Sequence, residues 1–266
     1  WAAPDMRSAP SITFDDVKAM VPVAFCAMMA HCASVFAMSA GAVSFGQIVK
    51  AAEPAFSAVV NTIIYGKSPS LAKWMVLPFI IAGVAFACLK PNPLGGYTIE
   101  FDTTALTMAS IANLFAAFKG SENHKLMAAP GLKERINGVG NQFALTTING
   151  FLISLPLMIY LEGHQFGKFV ELMQTSEELR YNLIASGMTF YLYNELATMT
   201  IKQTGAVTAS VANTAKRVIV IVGVAIAMKK PLTFEEQVGS AIAISAVFLY
   251  SVVDMIFKPK SKGKTA

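Results

Sequence analysis

Apolar runs long enough to cross about 30 Å of hydrocarbon as helices recur along this chain. Eight are read at roughly 17–39, 42–65, 71–89, 103–119, 138–161, 181–201, 205–228 and 235–257. The breaks carry turn chemistry, at Gly66 to Pro69, Lys90 to Gly96 and Lys229 to Pro231. Composition agrees with this pattern. Of the 266 residues 55% are hydrophobic and 14% charged, against about 25% charged in soluble domains. Such a chain lacks the charge to clothe an apolar core, so lipid must be its main solvent. No run alternates polarity as a barrel strand would. The predicted fold class is therefore an all-α membrane protein, a polytopic helical bundle. Two longer polar stretches remain, Lys119 to Asn137 and Gly163 to Arg180. The second reads as a short amphipathic helix lying at the membrane surface.

A net charge of +5 would suggest nucleic acid in a soluble protein. Here the bases gather at the ends of apolar runs (Lys67, Lys73, Lys90, Lys229, Lys230) and in the tail (Lys258, Lys260, Lys262, Lys264). That is the pattern of interfacial anchoring, so the lipid bilayer is the expected surface and no nucleic-acid partner is expected. Cys26, Cys32 and Cys88 lie inside apolar runs, with neither metal-ligand nor disulfide spacing. Trp1 to Asp16 is polar and Pro-interrupted and shows no cleavable signal. No metal-ligand cluster, Walker-type loop or GxSxG is present. No enzymatic activity, metal or cofactor is expected, and any solute movement would run on gradients or exchange.

A weak internal repeat organises the chain. Gly41-Ala42-Val43-Ser44 returns as Gly205-Ala206-Val207-Thr208, 164 positions on. Lys50 follows nine residues after the first copy starts, and Lys216 eleven after the second. Each copy runs on into a basic-proline turn, Lys67-Ser68-Pro69 or Lys230-Pro231, and then a further apolar helix. The runs at 17–39, 42–65 and 71–89 thus correspond to those at 181–201, 205–228 and 235–257. The second copy has two more runs before its trio. By symmetry the chain reads as eight helices of a ten-helix design of two five-helix halves. Residues 1–102 form an incomplete first half-repeat with three spans, and 103–266 a second with five. Odd-numbered halves insert with opposite orientation, the inverted-repeat plan of many transporters.

A charge at mid-membrane costs about 3 kcal/mol on insertion scales and marks a cavity, an ion pair or a substrate site. Lys50 lies near the middle of run 42–65, followed by Glu53 and Pro54; Lys216 and Arg217 lie near the middle of run 205–228. The repeat brings these cations to similar depths in opposed halves. Three cations facing one cavity suit a phosphate dianion, with Arg217 able to contact it bidentately. The plainer reading pairs Lys50 with Glu53 at i,i+3 and leaves Glu195 or Asp254 to reach Lys216 and Arg217. Glu53 itself is read as a structural counter-charge, and Pro54 as a kink. His31 and Ser34 share one face of the first run, and Tyr193 stands near the repeat-equivalent position. Each is a candidate pocket residue, against the alternative of packing or interfacial anchoring. His124 and His164 read as solvated.

The segments His31, Ala42-Val43-Ser44-Phe45, Ile48-Val49-Lys50-Ala51-Ala52-Glu53-Pro54, Tyr193-Asn194-Glu195-Leu196-Ala197-Thr198, Asn213-Thr214-Ala215-Lys216-Arg217-Val218 and Gly239 to Tyr250 carry a resemblance. With them the chain resembles the plastid phosphate translocators of the drug/metabolite transporter superfamily. The resemblance implies ten helices, of which the first two are absent here. It implies an antiporter exchanging inorganic phosphate for triose phosphate, 3-phosphoglycerate or a related phosphorylated sugar across a plastid envelope membrane, such as the chloroplast inner envelope. It also implies that positions matching Lys50, Lys216 and Arg217 hold the phosphate. Those matching His31, Ser34, Tyr193 and Lys119 would line the pocket, Lys119 standing where arginine is usual. Gly46-Gln47 departs from the family's Thr-His. His31 favours the triose- or hexose-phosphate branches, and Glu53-Pro54-Ala55-Phe56-Ser57 resembles the hexose branch; the leaning is to triose phosphates. Two rivals stand beside this reading. One is a carrier-derived structural subunit of a larger membrane complex, with a protein partner filling the gap of the two missing helices. The other is another carrier of the superfamily, such as a nucleotide-sugar exchanger, which the cations at Lys50, Lys216 and Arg217 argue against.

Overall fold

Helix α1 (Phe14–Ala40) begins at a reciprocal cap written in the sequence. The Thr13 amide donates to Asp16 Oδ2 at 2.9 Å and the Asp16 amide to Thr13 Oγ1 at 3.3 Å, satisfying amides that a helix start leaves unpaired. The same device, Thr233 with Glu236, starts α10 (Phe234–Phe257). Between them lie α2 (Val43–Lys50), α3 (Glu53–Ile63), α4 (Leu71–Ala87), α5 (Thr103–Met127), α6 (Leu132–Ile136), α7 (Val139–Glu162), a 3-10 turn (Gly163–Gln165), α8 (Phe166–Thr175) and α9 (Glu177–Ala227). This computed structural model describes residues 10–41, 43–91, 97–99, 102–227, 229 and 231–257. The predicted anchors Lys230, Lys258, Lys260, Lys262 and Lys264 lie outside them.

The described residues are nearly all helical, and among them three helical stretches are long and apolar enough to cross a membrane: Phe14–Ala40, Gly140–Thr175 and Phe234–Asp254. Leu71–Ala87 is a shorter apolar helix. Four local features differ from the sequence reading. Among the described residues the all-α expectation meets one exception, a short antiparallel ladder of β1 (Leu89–Pro91) with β2 (Tyr97–Ile99). Run 42–65 is not one helix but α2 and α3, parted at Ala51 and Ala52, because the Pro54 ring removes a backbone donor there. The α5 helix runs past Lys119 to Met127, since no breaker intervenes until Pro130. Finally, α9 is continuous where two runs, 181–201 and 205–228, were read. The stretch between them, Lys202-Gln203-Thr204, holds neither glycine nor proline, so every backbone donor stays available.

The chain divides into two compact units. The first holds described residues within Trp1–Met28 and Glu122–Gly205. Its core gathers Met20, Val23, Leu126, Leu132 and Ile136. Arg135 Nε and Nη2 reach Asp16 Oδ2 and Oδ1 at 2.9 and 2.6 Å. This fork-on-carboxylate pair ties α6 to the start of α1.

The second unit spans Met29–Ser121 and Ala206–Ala266. Its firmest contact is the crossing of α4 and α10, made on two Gly-x-x-x-Ala pairs, Gly83 with Ala87 and Gly239 with Ala243. A Cβ on Gly83 would stand 2.5 Å from the Ala243 nitrogen, and one on Gly239 2.4 Å from the Ala87 nitrogen. The backbones therefore touch, the close approach by which apolar helices associate when hydrocarbon offers no hydrophobic drive. At one end of the crossing Lys73 Nζ meets Asp254 Oδ2 at 2.7 Å and lies over the Tyr250 ring. The Ser70 hydroxyl donates to the other Asp254 oxygen.

Candidate functional site

The site is built on the second unit, around the break between α2 and α3. Two tightened turns close α2: the Ala51 amide donates to the Ile48 carbonyl at 2.9 Å and the Ala52 amide to that of Val49 at 3.0 Å. Glu53-Pro54 then opens α3, with proline in the first turn, where its missing N–H is harmless. Lys50 is thus the last residue of a short helix, half-buried, and its direction is set by the break. Its ammonium donates to Ser34 Oγ at 3.0 Å, and that hydroxyl donates to the Ala30 carbonyl at 2.6 Å. Ser34, read as a pocket residue, is therefore the tether of Lys50.

The charges acting on Lys50 are the acid Glu53 and the bases Arg217, Lys216 and Lys119. Lys119 and Lys50 in turn act on the His31 ring, which is exposed on α1. The structure thus brings Lys50, Lys119, Lys216 and Arg217 into one neighbourhood with His31 and Ser34. Tyr193, on α9 and 41% exposed, belongs to the first unit. The plainer pairing of Lys50 with Glu53 at i,i+3 is replaced by a longer-range one: Arg217 Nη2 stands 3.6 Å from Glu53 Oε2. Asp254, one of the acids considered for Lys216 and Arg217, is engaged by Lys73 instead, and Glu195 is buried in the first unit.

The Arg217 side chain is only 16% exposed, and its Nε–H has no hydrogen-bond partner among the described residues. At 3.6 Å its contact with Glu53 exceeds hydrogen-bond range. A buried donor left unpaired costs about 1–3 kcal/mol, and cations crowded in a medium poorer than water repel one another. Both penalties fall away when an anion enters. A tetrahedral dianion can span the Nε and Nη edge of the guanidinium while lysine ammoniums meet its other oxygens.

One contributor escaped the sequence reading. Asn113, fully buried on α5, donates from Nδ2 to the Val49 carbonyl at 2.9 Å. Its signal was a lone amide in the apolar run 103–119, on the same helix stripe as Ala105, Ala109, Ala117 and Ser121.

Residues 1–251 match the Triose-phosphate Transporter family. The chain belongs to this family. Among its curated relatives, the phosphoenolpyruvate/phosphate translocator 3, chloroplastic, of Oryza sativa subsp. japonica is 31% identical over 98% of this chain and 64% of its own length. The glucose-6-phosphate/phosphate translocator 1, chloroplastic, of Arabidopsis thaliana is 31% identical over 94% of this chain and 62% of its own. The triose phosphate/phosphate translocator, chloroplastic, of Brassica oleracea var. botrytis is 29% identical over 100% and 63%. The chain therefore spans less than two thirds of the length of these family members.

Proposed function

We propose that this chain forms the phosphate-binding part of an antiporter that exchanges inorganic phosphate for a phosphorylated metabolite across a plastid envelope membrane, such as the chloroplast inner envelope. Triose phosphate or 3-phosphoglycerate is the favoured partner substrate. The observation that carries the reading is the buried guanidinium of Arg217, whose Nε–H has no hydrogen-bond partner among the described residues, in a neighbourhood shared with Lys50, Lys119 and Lys216. The three relatives above differ in the metabolite they are named for and share the phosphate group, the part a cationic cluster reads. In this assignment Lys50, Lys216 and Arg217 hold the phosphate, and Lys119, His31 and Ser34 line the approach to it. Glu53 is the counter-charge that occupies Arg217 when phosphate is away.

The finer architecture belongs to the same proposal: a ten-helix fold of two inverted five-helix halves, with residues 1–102 in one and 103–266 in the other. The Glu53–Arg217 pair supports it. The two residues are 164 positions apart, the offset of the repeat itself, and groups near a two-fold axis meet their own equivalents. The α4–α10 crossing likewise joins repeat-equivalent helices.

The test is phosphate/phosphate and phosphate/triose-phosphate exchange by the full-length protein in liposomes. Lys216→Ala should slow exchange about a hundredfold, the loss of roughly 2.7 kcal/mol of charge-assisted contact. Arg217→Lys, which keeps the charge and loses the planar fork, should weaken phosphate about tenfold. Normal exchange by Lys216→Ala would overturn the assignment.

A further inference from the structure

We infer that Asn113 is a positioning residue for Lys50, a role that rests on the phosphate-exchange reading above. On α5 the positions Ala105, Ala109, Asn113, Ala117 and Ser121 recur every fourth residue and are all buried. They form one stripe of a helix. Ala105 and Ala109 pack with Phe45 and Val49 of α2, and Ser121 Oγ donates to Asn61 Oδ1 of α3 at 2.8 Å. The stripe thus lies along the broken α2–α3 segment, and Asn113 stands at the break.

Its amide adds a second hydrogen bond to the Val49 carbonyl, which already accepts from the Ala52 amide in the tightened turn. Val49 immediately precedes Lys50. A terminal turn held only by local bonds frays; one pinned from a neighbouring helix projects its side chain in one direction. Asn113 therefore fixes the backbone from which the Lys50 ammonium reaches Ser34 and, in the loaded carrier, phosphate. Packing alone would favour alanine here, as at the four other stripe positions but one. Asn113 Oδ1, moreover, is buried without a hydrogen-bond partner among the described residues, a penalty that a purely space-filling residue would not carry. The polar side chain is kept for its donor.

The experiment compares Asn113→Ala, Asn113→Leu and Asn113→Gln with Lys50→Ala in the full-length protein, reconstituted in liposomes and assayed with inorganic phosphate. Alanine and leucine differ in volume and both lack the donor. Each should raise the apparent KM for phosphate about tenfold while kcat changes less than about threefold. Glutamine keeps an amide donor and should stay within about threefold of the parent KM. In a Lys50→Ala background, Asn113→Ala should weaken phosphate binding by less than about twofold more, because the group it positions is gone. Phosphate-dependent thermal stabilisation of the purified protein reads this binding even where transport is lost. KM values within twofold of the parent for both alanine and leucine would overturn the inference, as would losses that multiply in the double variant or a Gln variant as impaired as Ala. Lys50→Ala with unchanged exchange would instead overturn the phosphate site itself, whatever the Asn113 variants do.

Discussion

At the scale of single residues, the feature that matters is an arginine with too few partners among the described residues. Arg217 is largely buried, and its acid, Glu53, sits at ion-pair but not hydrogen-bond distance. The Glu53 side chain is 40% exposed, so the pair contributes under about 1 kcal/mol to stability. In the proposed exchange its consequence lies in competition, since phosphate would have to displace the carboxylate from the guanidinium. Glu53→Gln removes the competitor and keeps the shape. The expected outcome is a two- to threefold lower apparent KM for phosphate, with thermal stability within about 1 kcal/mol of the parent, measured by liposome exchange and by unfolding in detergent. A higher KM would mean that Glu53 orients Arg217 for the substrate rather than competing with it.

At the scale of elements, two contacts govern the second unit, and both depend on small or broken geometry rather than on bulk. The break at Ala51 and Ala52 aims Lys50, and the crossing of α4 and α10 sets the backbone on which one side of that unit rests. The crossing leaves no room for a side chain: a Cβ on Gly83 meets backbone atoms of Ala243 at 2.5 and 2.9 Å, and backbone does not swing aside as a flexible side chain would. Gly83→Leu should therefore destabilise the full-length protein by at least about 3 kcal/mol, the upper range of overpacking, seen as an earlier thermal transition in detergent. Gly187, on α9, is a built-in control. Nothing lies within 4 Å of a Cβ placed there, so Gly187→Leu should leave the transition unchanged or raise it slightly through helix propensity. An equal fall in both variants would remove the crossing as the cause.

At the scale of the whole molecule, a cationic site inside a lipid-solvated bundle constrains how a carrier cycles. An empty cluster of like charges resists dehydration, because an uncompensated buried charge costs several kcal/mol. In the proposed exchange, bound phosphate would neutralise the cluster and lower that barrier. The carrier should therefore change sides far more readily loaded than empty. In liposomes holding no internal phosphate, uptake of labelled phosphate should run at least about tenfold slower than in phosphate-loaded ones; equal rates would show that the empty protein returns freely, and the charge argument would fail.

Much of this protein was legible in one dimension because the underlying physics is local or periodic. Apolar runs predicted helices, and the structure starts two of them at the Thr13–Asp16 and Thr233–Glu236 caps. A repeat of four residues pointed to the same positions, Lys50, Lys216 and Arg217, that the structure gathers into one neighbourhood. The same local logic failed where an interruption was too weak, as in α9, or where a helix outlasted its apolar run, as in α5 beyond Lys119. What only the tertiary structure decided is which groups meet. The plainer reading gave Glu53 to Lys50, three residues away, and its carboxylate also stands 3.6 Å from Arg217, 164 positions on; Asp254, weighed for the cationic pair, meets Lys73. Asn113 looked like one amide in an apolar stretch until α5 was laid along the α2–α3 break. Sequence periodicity states which face of a helix is buried but not against what, and a partner found through packing leaves no spacing to read.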